Sequence, residues 1–304
     1  MKLHLDRPWR TALLSALIAW LVCITAGWAY VHYLQSSRQQ LARTLAQSFS
    51  LRVAQRLHET VSPVYMLASM VKQNQGNVPD FDKVAPDLLQ EFPLARALEL
   101  APAGVVRQVY PLRGNEAIIG HDLLKDRGRN KEAHVALVKR QLMVAGPFEL
   151  IQGGLGAVAR YPVFMPDGQG KNSFWGFAIV LIHVHELLAN AGEMEFERKG
   201  FDYQLCRVTL DVEGEGCKSF YRSAESELQQ PLVVPIDLPN NQWRLSVAPS
   251  GGWVSPGEWI GLAVAILISG LLVGGTLLLR LSQREAEKED GKDDTQGMAG
   301  SGAP

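Results

Sequence analysis

Hydrophobic and polar positions divide this chain into three regimes. Two stretches are apolar almost without interruption, Thr11 to Tyr33 and Trp259 to Leu279, and no charged residue stands between Glu258 and Arg280. Each can cross a hydrocarbon core of about 30 Å as a helix, which takes roughly 20 such residues. A second pattern places apolar residues at steps of three and four from Ser36 to about Asn74: Leu41, Leu45, Phe49, Val53, Leu57, Val61, Val64, Ala68 and Val71. They share one face of a helix, and polar residues such as Arg43, Gln47, Arg52 and Arg56 fill the others. Pro63 is expected to kink or split this helix. The stripe has two readings. It covers its own domain, or it is a stalk continuous with the first span that pairs with a second copy as a homodimer.

Further on, the period shortens. Asn77-Val-Pro-Asp predicts a turn, followed by a capped helix from Asp80 to about Glu91. Strands are predicted at Ala95 to Leu100 and Val105 to Tyr110, around the hairpin turn Ala101-Pro-Ala-Gly, and at Leu155 to Phe164 and Phe174 to Ile182. Arg129 to Met143 and His185 to Ala191 read as helices, and Tyr203 to Val212, Leu232 to Pro235 and Trp243 to Ala248 as strands. The fold class is α+β. The division is a terminus at 1–10, a span at 11–34, a stalk at 35–78, a membrane-distal lobe at 79–192 and a membrane-proximal lobe at 193–252. A second span at 256–280 and a tail at 281–304 follow, and the Gly, Ser and Asp content of the tail from Gly291 onward predicts disorder.

Basic residues near the spans set the expected orientation. Lys2, Arg7 and Arg10 precede the first span, and Arg280 and Arg284 follow the second. Both termini are therefore expected in the cytoplasm, with the large loop in the periplasm of a bacterial inner-membrane protein. Arg38 and Arg43 oppose this, but they begin a long loop, and such domains translocate largely regardless of charge. A cleaved signal peptide is the alternative for the first span. Its length and the helix-forming sequence that follows without a break favour an uncleaved anchor.

Charged residues make up 20% of the chain and the net charge is −1, so no basic excess points to nucleic acid. Of three cysteines, Cys23 lies in the first span, while Cys206 and Cys217 flank the Gly-rich turn Glu213-Gly-Glu-Gly in the external loop. An oxidising compartment would let that pair bridge; two reduced cysteines and a metal pair are the alternatives. His183 and His185, with Glu186 beside them, have no further ligands evident to complete a site, so no metal site is expected. Gly154-Leu-Gly-Ala-Val-Ala matches a dinucleotide fingerprint in letters alone, since β-prone residues follow it where a helix is needed. No catalytic constellation and no cofactor site is legible.

Several short blocks, in order, resemble a known family: Gly120-His-Asp-Leu-Leu, Ala145-Gly-Pro-Phe-Glu-Leu, Gln152-Gly-Gly-Leu-Gly, Tyr161-Pro-Val-Phe, Trp175-Gly-Phe-Ala and Gln242-Trp-Arg-Leu-Ser-Val-Ala-Pro. Over most of Phe81 to Pro249 the chain resembles a CHASE domain, the extracellular sensory module of bacterial diguanylate cyclases and histidine kinases and of plant cytokinin receptors. The resemblance implies a long stalk helix carrying two PAS-like lobes, with a small ligand in the distal one. In the plant receptors an aspartate at the position of Asp122 meets the ligand, which makes Asp122 a site candidate. A turn or helix cap is the competing role for it. With that site, Val144, Phe148 and Leu150 are expected to line an apolar wall. Arg160 and Tyr161 are further candidates for reaching a polar ligand, beyond what the resemblance implies. Gly153 stands where the plant receptors hold a ligand-contacting threonine, which implies a roomier pocket or another ligand.

Three functions remain open on the sequence. The chain is a non-enzymatic membrane sensor that signals to a separate effector membrane protein. It is the input half of a cyclase or kinase receptor that was split or truncated. Or it is an envelope scaffold that binds no ligand.

Overall fold

A computed structural model describes residues 7–126, 130–151, 153–166, 170–208 and 216–299. Lys2, Arg129, Gln152 and the strand end expected at Val212 lie outside the described residues. The chain forms two compact units, one of Gln40–Ser250 and one of Met1–Gln39 with Gly251–Pro304.

The second of these units holds both apolar stretches, in helices α1 (Arg7–Val61) and α7 (Pro256–Ala299). Each is long and apolar enough to cross a membrane. They run antiparallel: the Trp20 indole N–H donates to the Ile266 carbonyl at 3.4 Å, and Arg38 meets Glu258 at the other end. That contact is bidentate, with Nη1 and Nη2 at 3.0 and 2.7 Å from the two carboxylate oxygens, and Nη1 also donates to the Trp253 carbonyl. Past Arg280, α7 continues to Ala299 where a disordered tail was expected. The run Glu285-Ala-Glu-Lys-Glu is made of strong helix formers, and no proline interrupts it.

The other unit begins on α1 itself. At Ser62 the helix breaks, and Pro63 opens α2 (Pro63–Gln73), as its fixed φ favours for a first helical turn. The apolar stripe is spent on its own domain: Phe49, Val53, Leu57, Val61, Val64 and Val71 are fully buried. Between these two readings of the stripe, intramolecular packing accounts for it from Phe49 onward. Leu51 and Leu41 are left on exposed faces.

Helix α3 (Phe81–Glu91) follows. Asp80 occupies its N-cap without a side-chain cap bond and pairs with Lys83 at 2.7 Å instead. Then comes an antiparallel sheet of β1 (Ala95–Pro102), β2 (Gln108–Tyr110), β3 (Met143–Glu149), β4 (Leu155–Pro166) and β5 (Asn172–His183), in the order β2-β1-β5-β4-β3. Helix α4 (Asn130–Lys139) precedes β3. The helix expected to reach Met143 stops there, because Arg140 takes a left-handed φ of 54° and the chain turns into β3. Both faces of the sheet are covered. One packs on α2 and buries Leu98, Leu100, Ala159, Ala178, Val180 and Ile182. The opposite face belongs to a core that includes Ala97, Ala101, Ile179, Leu181 and Met143, closed by α4 and the Ile118–Leu123 segment.

After α5 (Val184–Ala191) and α6 (Met194–Arg198), a second antiparallel sheet forms from β6 (Phe201–Val208), β7 (Cys217–Arg222), β8 (Leu232–Leu238) and β9 (Asn241–Pro249), ordered β7-β6-β9-β8. Cys206 and Cys217 are disulfide-bonded across β6 and β7. The two sheets meet at β3. Its outer-edge carbonyls at alternate residues are taken by side chains of the β8–β9 hairpin: Asn240 Nδ2 to Leu142 O and Asn241 Nδ2 to Val144 O, both 2.7 Å, and Trp243 Nε1 to Gly146 O, 3.1 Å. The Val144 N–H donates to Pro239 O at 3.1 Å. An edge strand that would otherwise present open backbone groups is thereby sealed.

Candidate functional site

Along one face of the five-stranded sheet, register places three side chains in a row: Glu99 on β1 stands opposite Ile179 on β5, and Ile179 opposite Arg160 on β4. Both faces of this sheet are buried, so a charged residue here goes inward. Glu99 and Arg160 are each only 3% exposed. Burying an ionisable group is costly, and ionisable groups with perturbed environments concentrate at functional sites.

Glu99 and Arg160 line a small chamber of about 20 Å³, together with His121, Phe148, Leu150 and Leu181 among others. That volume holds about one water molecule. The His121 ring Nε2 lies 3.2 Å from Asp126 Oδ2. Leu150 folds back over Gly156, where a Cβ would collide with the leucine side chain, so a larger residue there would displace Leu150 from the chamber wall. The same sheet face continues past Leu181 into an open groove of about 530 Å³, which also touches Arg96, Arg113, Gly153 and His183. Chamber and groove share Leu181.

The residues singled out from sequence divide among these places. Phe148, Leu150 and Arg160 line the chamber. Gly153 lines the groove, with φ +95° and open space where its Cβ would be, so its backbone conformation is a sufficient reason for glycine. Tyr161, one residue after Arg160, points to the opposite face and packs edge-on against Tyr65 of α2 at 5.0 Å. Val144 is fully buried, and its backbone is tied to the β8–β9 hairpin.

Asp122 takes up a turn: its Oδ1 accepts from the backbone N–H of Leu124 and of Lys125, at 3.1 and 3.2 Å, and its Oδ2 lies 3.0 Å from Lys125 Nζ. The Lys125 ammonium, aided by these N–H groups and opposed by partial burial, holds the carboxyl below the usual carboxylate range. Its neighbours His121 and Leu123 line the chamber, and Asp122 is absent from that lining. The capping role competing for Asp122 is thus the one its present contacts serve.

Sequence reasoning missed Glu99 and the groove residues Arg96 and Arg113. The available signal for Glu99 was its parity, between Ala97 and Ala101 in a strand whose other face is Leu98 and Leu100.

The family described as the CHASE domain matches residues 35–215, well over half of the chain. Among solved structures, an extracellular ligand binding receptor from Desulfohalobium retbaense is similar with a TM-score of 0.53 at 15% identity, covering 68% of this chain. This chain spans 40% of that receptor's chain. The extracellular domain of a protein described as a histidine kinase matches with a TM-score of 0.45 at 12% identity, covering 70% of this chain and 94% of its own. A methyl-accepting chemotaxis protein matches with 0.39 at 13% identity, covering 72% and 97%. No curated protein sequence matches this chain. The long helix, the paired antiparallel sheets and the family match together make this chain a member of the CHASE domain family, an extracellular sensory domain flanked by two candidate membrane helices.

Proposed function

We propose that this chain is an inner-membrane receptor that binds a small ligand in the distal lobe of its periplasmic CHASE domain and passes the signal to a separate partner. The observation that carries the binding site is the burial of Glu99 and Arg160 on one sheet face, around a small chamber that shares Leu181 with a larger groove. A core selected for stability alone gains little from two such groups, since apolar residues of similar volume are often neutral or stabilising in their place. Polar specificity groups set in an apolar wall are the usual make-up of a ligand pocket. The bonded Cys206–Cys217 pair fits an oxidising compartment, which supports placing the domain outside the cytoplasm.

The route of the signal follows from β3. One part of this strand carries Phe148 into the chamber, and its outer edge is held by Asn240, Asn241 and Trp243. The sheet holding these residues is in turn fastened to α1, where the Ser50 hydroxyl donates to Pro235 O at 2.6 Å. A ligand that opens the chamber displaces β3, and α1 receives the displacement through β8 and β9. The effector is a second membrane protein or the remainder of a longer receptor. An effector reading frame continuous with this one would select the latter.

The test is a metabolite screen by thermal unfolding on the full chain in nanodiscs. A ligand at a hundred times its Kd adds about 2.7 kcal/mol to the native state. Each hit is then titrated against Glu99→Gln and against the double variant Glu99→Gln/Arg160→Met, which avoids stranding one buried charge. At least a tenfold loss of affinity, about 1.4 kcal/mol, is expected in variants that keep the native circular dichroism. Hits that bind both variants as tightly as the native chain would remove the chamber from the site.

A further inference from the structure

The groove beside the chamber has a chemistry of its own. Its nitrogen-bearing residues come from three separate elements: the cationic Arg96 from β1 and Arg113 from the loop after β2, and the imidazole of His183 from the end of β5. Among the described residues lining it there is no carboxylate. Two carboxylates stand nearby. Glu186 lies 3.9 Å from Arg96 Nε and 3.7 Å from His183 Nδ1. Glu116 is turned to the Gly114 backbone N–H at 2.9 Å. The Glu186 contacts exceed the roughly 2.7–2.9 Å of a charge-assisted hydrogen bond, and the Arg96 and Glu186 side chains are 51% and 41% exposed. Such a pair is weakly held and leaves the terminal NH₂ groups of Arg96 to a ligand. A guanidinium presents a planar fork of donors that matches a carboxylate or phosphate, and two arginines line this one groove.

We propose that this groove is an anion subsite, in which a carboxylate or phosphate group is held between Arg96 and Arg113 while the body of the ligand reaches along the sheet face toward Leu181. The inference rests on the distal lobe being the ligand-binding lobe, and it adds the chemical class of the ligand. The groove's volume, about 530 Å³, falls in the range of small-molecule sites. Its volume admits a charged head group that the chamber of about 20 Å³ would exclude.

The experiment is calorimetric titration of the full chain in phosphatidylcholine nanodiscs with succinate, inorganic phosphate and the neutral succinamide. Binding of succinate or phosphate without succinamide binding is expected, and which anion binds decides between carboxylate and phosphate recognition. Arg96→Gln and Arg113→Gln should each weaken that binding at least tenfold with unchanged circular dichroism. Exposed Arg107→Gln, which removes the same charge outside the groove, should not. The proposal is overturned if neither anion binds at millimolar concentration, if succinamide binds equally, or if the groove variants bind as the native chain does. It is overturned separately from the chamber if screened ligands depend on Glu99 and Arg160 but not on Arg96 or Arg113.

Discussion

Trp243→Phe isolates the joint between the two lobes. The indole is fully buried, stacks edge-on against Phe220 at 5.1 Å and donates through Nε1 to the Gly146 carbonyl at 3.1 Å. Phenylalanine keeps an aromatic ring against Phe220 and deletes the donor. The lost bond is worth about 0.5–1.5 kcal/mol net, and a buried carbonyl left without a partner costs about 1–3 kcal/mol. These overlap, so about 2 kcal/mol is expected. For a domain of this size that lowers Tm by roughly 4–8 °C. Asn241→Ala removes the next bond along the same edge, to Val144, and should cost a similar amount. Because both bonds hold one strand, the double variant should depart from additivity by about 0.5 kcal/mol or more. Near-ultraviolet circular dichroism of the full chain in detergent, followed through thermal unfolding, gives all three values. The functional counterpart is a variant that still binds ligand while its signal output falls. Single variants within about 0.5 kcal/mol of the native protein that are strictly additive would mean that the hairpin merely touches β3 and does not hold it.

Three further outcomes are expected. Replacing Cys206 and Cys217 together by serine should cost about 2–3 kcal/mol, as loop entropy gives for a separation of 11 residues, and non-reducing peptide mass spectrometry of the native chain should show the linked pair; free thiols at both would contradict it. Asp122→Asn should leave ligand affinity close to native and lower neutral-pH stability slightly, since asparagine caps nearly as well but cannot pair with Lys125. The Asp122 carboxyl titrates below its ordinary value of about 3.9, so its stabilisation is present above that pH and fades as the pH drops through the lower folded value; urea unfolding from pH 7 to 2 should show this acid loss in the native chain and less of it in the variant. Reporter enzymes that work only in the periplasm should be active when fused between Ser36 and Pro249 and inactive after Arg284, and activity at the latter position would refute cytoplasmic termini.

How far the sequence could be read depended on what each element uses for its stability. Elements specified by periodicity were legible. The α1 stripe, the Pro63 break, the β1–β2 hairpin and the pair β4 and β5 follow from local pattern, because burial of one face selects a period. Strand β3 escaped notice, since Met143-Val-Ala-Gly-Pro-Phe-Glu contains glycine and proline, which argue against a strand. It is a strand because long-range bonds from Asn240, Asn241 and Trp243 fix its edge, and nothing near residue 143 encodes them. The site was half legible for a similar reason. Arg160, Phe148 and Leu150 came from matching blocks, whereas Glu99 and the groove arginines converge from β1 and the loop after β2 only once the sheet order is known.

The placement of Arg160 and Tyr161 supplies a physical basis for signalling. Successive residues of a strand face opposite sides of the sheet. Arg160 therefore enters the chamber while Tyr161 meets Tyr65 on α2, and the two sites are separated by one backbone layer. A chamber of about 20 Å³ cannot admit a ligand unless its walls move, and close-packed walls shift as units. Movement of β4 that makes room beside Arg160 carries Tyr161 with it and alters the packing on α2. Helix α2 follows α1 across the single break at Ser62, and α1 runs uninterrupted from its apolar stretch to Val61. Tyr161→Ala should thus leave ligand affinity within a fewfold of native yet weaken the response of α1, read by a spin or fluorescence label at exposed Leu51. A label that reports ligand binding equally in native and Tyr161→Ala chains would assign the whole transmission to β3 and the second sheet.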